Sequence, residues 1–249
     1  MGCPTGEWLR VTLTEAKLLW RDPASILVPI GLPVVVLMMG GLGAQDLTAT
    51  GFGGDTLDAA VVPSALVMIV GMIGLLNLPT FLVERRRDRW LRRLAVTPAR
   101  PVMLLAAQAL VSLALSLAGV ALALVLARVA FDVSAPHDLG AALGVLGLTV
   151  AALFAVGLVI AALARTTSAA IAAGLVLFFG MFALIGGFGG GEAFPQWLTT
   201  AGTYTPMGAA ASALTDAWGP ASVSASAIVV LLLTAVTSTV AAAFTFRWE

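Results

Sequence analysis

The chain has 249 residues, of which 60% are hydrophobic and only 10% charged, with a formal net charge of zero and a mean hydropathy of +1.03. A soluble domain carries roughly a quarter charged residues, so this composition excludes a soluble fold and points to an all-α integral membrane protein. The single cysteine, Cys3, excludes an intrachain disulfide and any multi-cysteine metal or cluster site.

The first twenty or so residues mix charge with an apolar stripe. Leu9, Leu13, Ala16 and Trp20 recur at helical spacing, and Arg10, Thr14, Lys17 and Arg21 repeat that spacing one residue on. This pattern predicts an amphipathic interfacial helix over 7–22, its apolar face in lipid and its cations among headgroups. It is too polar and too long for a cleaved signal peptide, and Pro23 then turns the chain into the bilayer. A crossing needs about twenty predominantly apolar residues. Six stretches qualify, at about 25–43, 60–83, 102–127, 140–163, 168–187 and 221–245, within a single transmembrane domain over 1–249. Six spans place both termini on one side. Arg10, Lys17, Arg21, Arg165, Arg247 and the arginines of 84–101 then share one face, against Arg128 alone on the other. The excess of cations inside makes both termini cytoplasmic in a bacterial cell membrane.

The predicted spans hold no Asp, Glu, Lys or Arg. Intramembrane ionisable groups mark proton relays, ion paths and gating charges, so their absence argues against a secondary carrier, an ion channel or an intramembrane enzyme. His137, the sole histidine, stands beside Asp138 in a short outer loop and reads as a solvated residue, since one histidine makes no multi-histidine metal site. The sole lysine, Lys17, has no glycine-rich run before it, so the chain holds no phosphate-binding P-loop. The chain is therefore not an enzyme in its own right, and nucleotide-driven work needs a separate ATPase.

Two segments carry the functional signal. The first, Glu84–Pro101, reads ERRRDRWLRRLAVTPARP and gathers seven of the thirteen basic residues. Trp90, Leu91 and Leu94 fall at helical spacing among Arg87, Asp88, Arg92 and Arg93, and the run stops at Thr97 and Pro98. This predicts a short amphipathic cytoplasmic helix between spans 2 and 3. One reading is an anchor for anionic lipid, each basic residue contributing about 1 kcal/mol near the surface. The other is a docking element, with an apolar triplet to fill a pocket and arginines to pair with carboxylates. Nucleic acid is not an expected partner of so short a membrane-tied cluster. The second segment, before span 6, holds Gly187, Phe188, Pro195, Trp197, Leu198, Tyr204 and Pro206. It predicts two short re-entrant or interfacial helices at the outer leaflet, or else a glycine loop with an aromatic anchor. Within the spans, Asn77 and Gln108 are candidates for touching substrate or for helix–helix hydrogen bonding.

With these residues in view, the chain resembles the membrane subunit of type-2 ABC exporters, the permease family of drug, lipid and polysaccharide export. Glu84, Arg92, Arg93, Leu94, Thr97 and Pro98 match that family's segment after the second span, and Gly187, Phe188, Pro195, Trp197, Leu198 and Pro206 match its stretch before the last. One departure is Asp88-Arg89-Trp90, where family members often carry Gly-Thr. The resemblance implies two permease subunits, as a homo- or heterodimer, over two cytosolic ATP-binding subunits that hold ATP and Mg, with no cofactor in this chain. It implies export of a hydrophobic or amphiphilic drug-, antibiotic- or lipid-like molecule. A second expectation from the residues is a non-transporting scaffold or sensor whose arginine-rich loop recruits a cytosolic partner or anionic lipid.

Overall fold

The computed structural model describes residues 22–49, 60–87, 101–186, 195–220 and 222–245. The expected interfacial helix over 7–22 and the loop helix beyond Arg87 lie outside the described residues, apart from Asp22 and the helix end at 84–87. Among the described residues the secondary structure is helical, with six helices long and apolar enough to cross a membrane. Mean hydropathy over their best windows runs from 2.1 to 2.6.

We number the helices α1 (Ala24–Ala49), α2 (Val62–Met72), α3 (Leu78–Arg87), α4 (Pro101–Phe131), α5 (Leu139–Leu163), α6 (Thr167–Leu184), α7 (Gln196–Thr203), α8 (Pro206–Trp218) and α9 (Ala225–Thr245). A π-helical turn, Ile73–Asn77, joins α2 to α3, so the second crossing is one rod from Val62 to Arg87. Several helices overrun the apolar stretches: α1 continues to Ala49, the rod to Arg87 and α4 to Phe131. Headgroup regions add about 10–15 Å to the hydrocarbon thickness, so a helix keeps its backbone hydrogen bonds after its apolar run ends. Glu84 and Arg87 thus belong to the end of the second crossing.

The rod is the centre of the bundle. Over its best window 78% of residues are buried, against 22% in α1, 22% in α6 and 17% in α9. Leu66, Val67, Ile69, Val70, Ile73 and Leu75 have no measurable exposure. Helices α1, α4, α5, α6 and α8 pack around it, while α9 lies along α5 and α8. Lipid is as apolar as leucine, so close packing rather than exclusion from water holds such an assembly together. The contacts show this. Gly71 lies under Met207 of α8 and Phe178 of α6, each about 3.3 Å from where its Cβ would be. Phe178 in turn stacks on Phe182 at 5.9 Å and meets Phe179 edge-on at 5.2 Å.

Local signals set the helix ends. Asp138 caps α5 by accepting from the Ala141 N–H at 2.9 Å, and Thr166 caps α6 by accepting from Ala169 at 3.1 Å. Pro206 occupies the first turn of α8, whose cap, Thr205, accepts from Gly208 at 3.0 Å. Asp132 takes a left-handed backbone (φ 54°) where α4 stops. The Arg128 guanidinium holds that turn, 3.2 Å from the Asp132 carboxylate and 2.9 Å from the Val133 carbonyl.

Candidate functional site

The bundle has two distinct ends. At one, α3 finishes beside the α5–α6 turn, which contains Arg165; this is the basic end. At the other, α1 finishes near the start of α2 and the end of α4: Gly40 meets Val61, and Gly41 meets the Phe131 ring. The α7–α8 pair belongs to this second end, because the Ala217 carbonyl of α8 accepts the Asp138 N–H at the start of α5, at 3.2 Å.

Of the residues expected to dock a partner, Glu84 is exposed on the last turns of α3, and Arg87 closes that helix. Asp88, Trp90, Leu91, Arg92, Arg93, Leu94, Thr97 and Pro98 lie outside the described residues. What the structure adds is Arg86, which the sequence did not single out. Its guanidinium donates to the carbonyl of Ala164, the residue that terminates α5. A cation at a helix C-terminus satisfies a carbonyl left over by the helix and meets the negative end of its dipole. The rod is thereby fastened to the α5–α6 turn at the point where the arginine-rich segment begins.

Asn77 lies in the π turn and donates from Nδ2 to the Ser25 carbonyl at 2.6 Å. Pro29 explains the need. In an α-helix the Ser25 carbonyl would accept from the N–H of residue 29, and proline has none. The Asn77 amide supplies the missing donor across the interface between α1 and the rod. Gln108 is 4% exposed and shares a buried stripe of α4 with Ser112 and Ser116, four and eight residues on. Both amides therefore sit at helix–helix positions inside this chain.

A second proline shapes the rod itself. Pro79 has no N–H for the carbonyl of Leu75 in α register or of Gly74 in π register, and the π turn is closed instead by Leu78 donating to Ile73. Gly157 of α5 lies against the Gly74 carbonyl and Gly174 of α6 against the Leu75 carbonyl, so close that a Cβ at either glycine would overlap the oxygen. Each glycine thus aims a Cα–H at a carbonyl that has lost its usual donor, a weak but recurring contact at helix interfaces. Proline in a helix was a sequence signal for this; which glycines would answer it was not.

Of the segment before the last span, Gly187 and Phe188 lie outside the described residues. Pro195 caps α7, Trp197 and Tyr204 project outward at 70% and 64% exposure, Leu198 is half-buried, and Pro206 opens α8. Two short helices, α7 and α8, occupy this stretch. Helix α8 is the buried member, with Met207, Ala209, Ala210, Ala213 and Leu214 fully enclosed against its neighbours. At about 1.5 Å per residue its 13 residues cannot cross a bilayer.

Six apolar crossings, one of them the buried central rod, define a multi-pass integral membrane protein. The family model for the ABC-2 type transporter matches residues 7–218, and the chain belongs to that family. The matched region covers the first five spans and the α7–α8 pair; α9 follows it. No individual curated protein matches the chain. The family makes this an ABC transporter permease subunit, a transport component that works with a separate ATP-binding subunit.

Proposed function

We propose that the chain is the permease of an ATP-driven exporter that moves a hydrophobic or amphiphilic molecule, such as a drug, antibiotic or lipid-like compound, out of a bacterial cytoplasm. In this reading the basic end faces the cytosol, both termini lie there, and ATP and Mg are held by the partner ATPase. Two permease chains pair around the path. The observation that carries the reading is the continuous rod from Val62 to Arg87, which runs from the α7–α8 end to the start of the arginine-rich segment. Arg86 fastens it to the α5–α6 turn. A push on residues 88–98 from an ATPase that closes on nucleotide enters the bundle at its most buried element and moves it as a rigid body. The uncharged spans favour a substrate of low charge.

The test is co-expression with the cognate ATP-binding subunit. Trp90→Ala combined with Arg92→Glu and Arg93→Glu should abolish co-purification of the ATPase and ATP-driven transport while the permease still folds. Intact assembly and transport in that variant would reject the docking role. Recovery of anionic lipid or a non-ATPase protein in place of an ATPase would favour the scaffold.

A further inference from the structure

At the α7–α8 end a cavity of about 360 Å³ opens between the start of the rod, the end of α6, and α7 and α8. Ligand-binding clefts begin at roughly this size. Its polar side chains are hydroxyls, Ser64, Thr199, Thr203, Ser212 and Thr215, with no charged residue among the described lining groups. The residues fall at helical spacing on three elements, with Ser64 on α2, Thr199 and Thr203 one turn apart on α7, and Ser212 and Thr215 on α8, so separate helices bring one kind of chemistry to one space.

Three of these hydroxyls have already committed their protons. Thr199 donates to the Gln196 carbonyl at 2.9 Å, Thr203 to Thr200 at 2.8 Å and Ser212 to Ala209 at 3.1 Å. A hydroxyl has one hydrogen and two lone pairs, so these oxygens retain only acceptor capacity. Such back-bonding is ordinary on a helix and by itself implies no ligand. Here it converges on one cavity from two helices, alongside the apolar walls Leu184, Ile185 and Ala211. The nearest carboxylate in sequence, Asp216, accepts instead from the Ser224 N–H at 3.0 Å. At these three oxygens an occupant must donate hydrogen bonds, while the Ser64 hydroxyl can donate or accept; among the described residues the lining offers no counter-ion, and the walls call for carbon surface.

We propose that this cavity binds the uncharged, hydroxyl-rich headgroup of an amphiphile, its hydroxyls donating to Thr199, Thr203 and Ser212. As the place where an exported molecule is held before release, the site rests on the permease reading. As a binding site it depends on this chain alone.

The experiment uses the full chain, without any ATPase, in phosphatidylcholine nanodiscs. The probe is a hexyl β-glucoside carrying a fluorescent dye at the chain end, compared with the same dye-labelled chain bearing a primary ammonium or no headgroup. Saturable binding of the glucoside, tighter than of either comparator, is expected. Thr199→Val and Thr203→Val each remove one acceptor at an accessible, helix-compatible position and should weaken binding about fivefold. Ser212→Phe should fill the cavity and abolish binding, whereas Thr200→Val, outside the lining, should leave it unchanged. Equal binding of the headless chain, tighter binding of the ammonium, or unchanged affinity in both threonine variants would overturn the proposal. Because binding is read without ATP, its failure is separate from that of the permease reading, which appears only in assembly and transport with the ATPase.

Discussion

At the scale of single residues, two prolines and the groups that answer them shape the interior. Pro29 and Pro79 each remove a backbone donor from a helix that lies in an apolar environment, where an unsatisfied carbonyl is costly. Asn77 answers the first with a side-chain amide, and Gly157 and Gly174 answer the second by close approach. Replacing Asn77 with Leu should lower the unfolding free energy of the purified chain by about 0.6–1.7 kcal/mol, the range of hydrogen bonds between membrane helices. Reversible unfolding in mixed detergent checks this; a change in transported substrates with stability untouched would favour a path-lining role. Gly157→Ala and Gly174→Ala drive a methyl into a backbone carbonyl and should each cost about 1–3 kcal/mol. Gly180 has nothing within 4 Å of its Cβ position, so Gly180→Ala should be neutral or stabilising by up to about 1 kcal/mol in the same assay. In the sequence all three are interchangeable glycines in an Ala- and Gly-rich chain. Only the partner across the interface separates them.

At the scale of elements, the second crossing differs from the rest in burial, in its π turn and in its charged terminus. In the sequence, an apolar run ending at residue 83 is followed by arginines. The helix instead carries Glu84 through Arg87 as its last turn, because each added residue completes a backbone hydrogen bond beyond the apolar run. That continuity joins the apolar run and the start of the arginine-rich segment in one rod, the element that the proposed coupling would move. Arg86→Ala should therefore reduce ATP-driven transport more than it reduces stability. Transport relative to ATP hydrolysed, measured in proteoliposomes, should fall while the melting temperature changes little; an unchanged ratio would show that the Ala164 tie transmits nothing. At the other end, Pro195 and Pro206 stand at the starts of α7 and α8. Thr205→Ala removes the α8 cap and should cost about 1 kcal/mol, readable as a lower melting temperature.

At the scale of the whole molecule, the low burial of α1, α6 and α9 leaves a broad apolar surface for lipid or a second permease chain. The proposed orientation rests on the charge asymmetry, and it is testable in intact cells expressing a Cys3→Ser background. A cysteine at Tyr204 should react with an impermeant maleimide from outside, and one at Arg165 only after permeabilisation; the reverse pattern would invert the topology. Composition and apolar run length were enough to determine the helical class and the six crossings. These depend on the cost of exposing backbone and charge to hydrocarbon, which is paid residue by residue along the chain. Tertiary structure decided which crossing is central, that Asn77 bridges to Ser25, that Arg86 ties the rod to the α5–α6 turn, and that scattered serines and threonines line one cavity. Those outcomes depend on which helix faces which. In a chain this uniformly apolar, hydropathy says that a segment belongs in the membrane but not which neighbour it packs against.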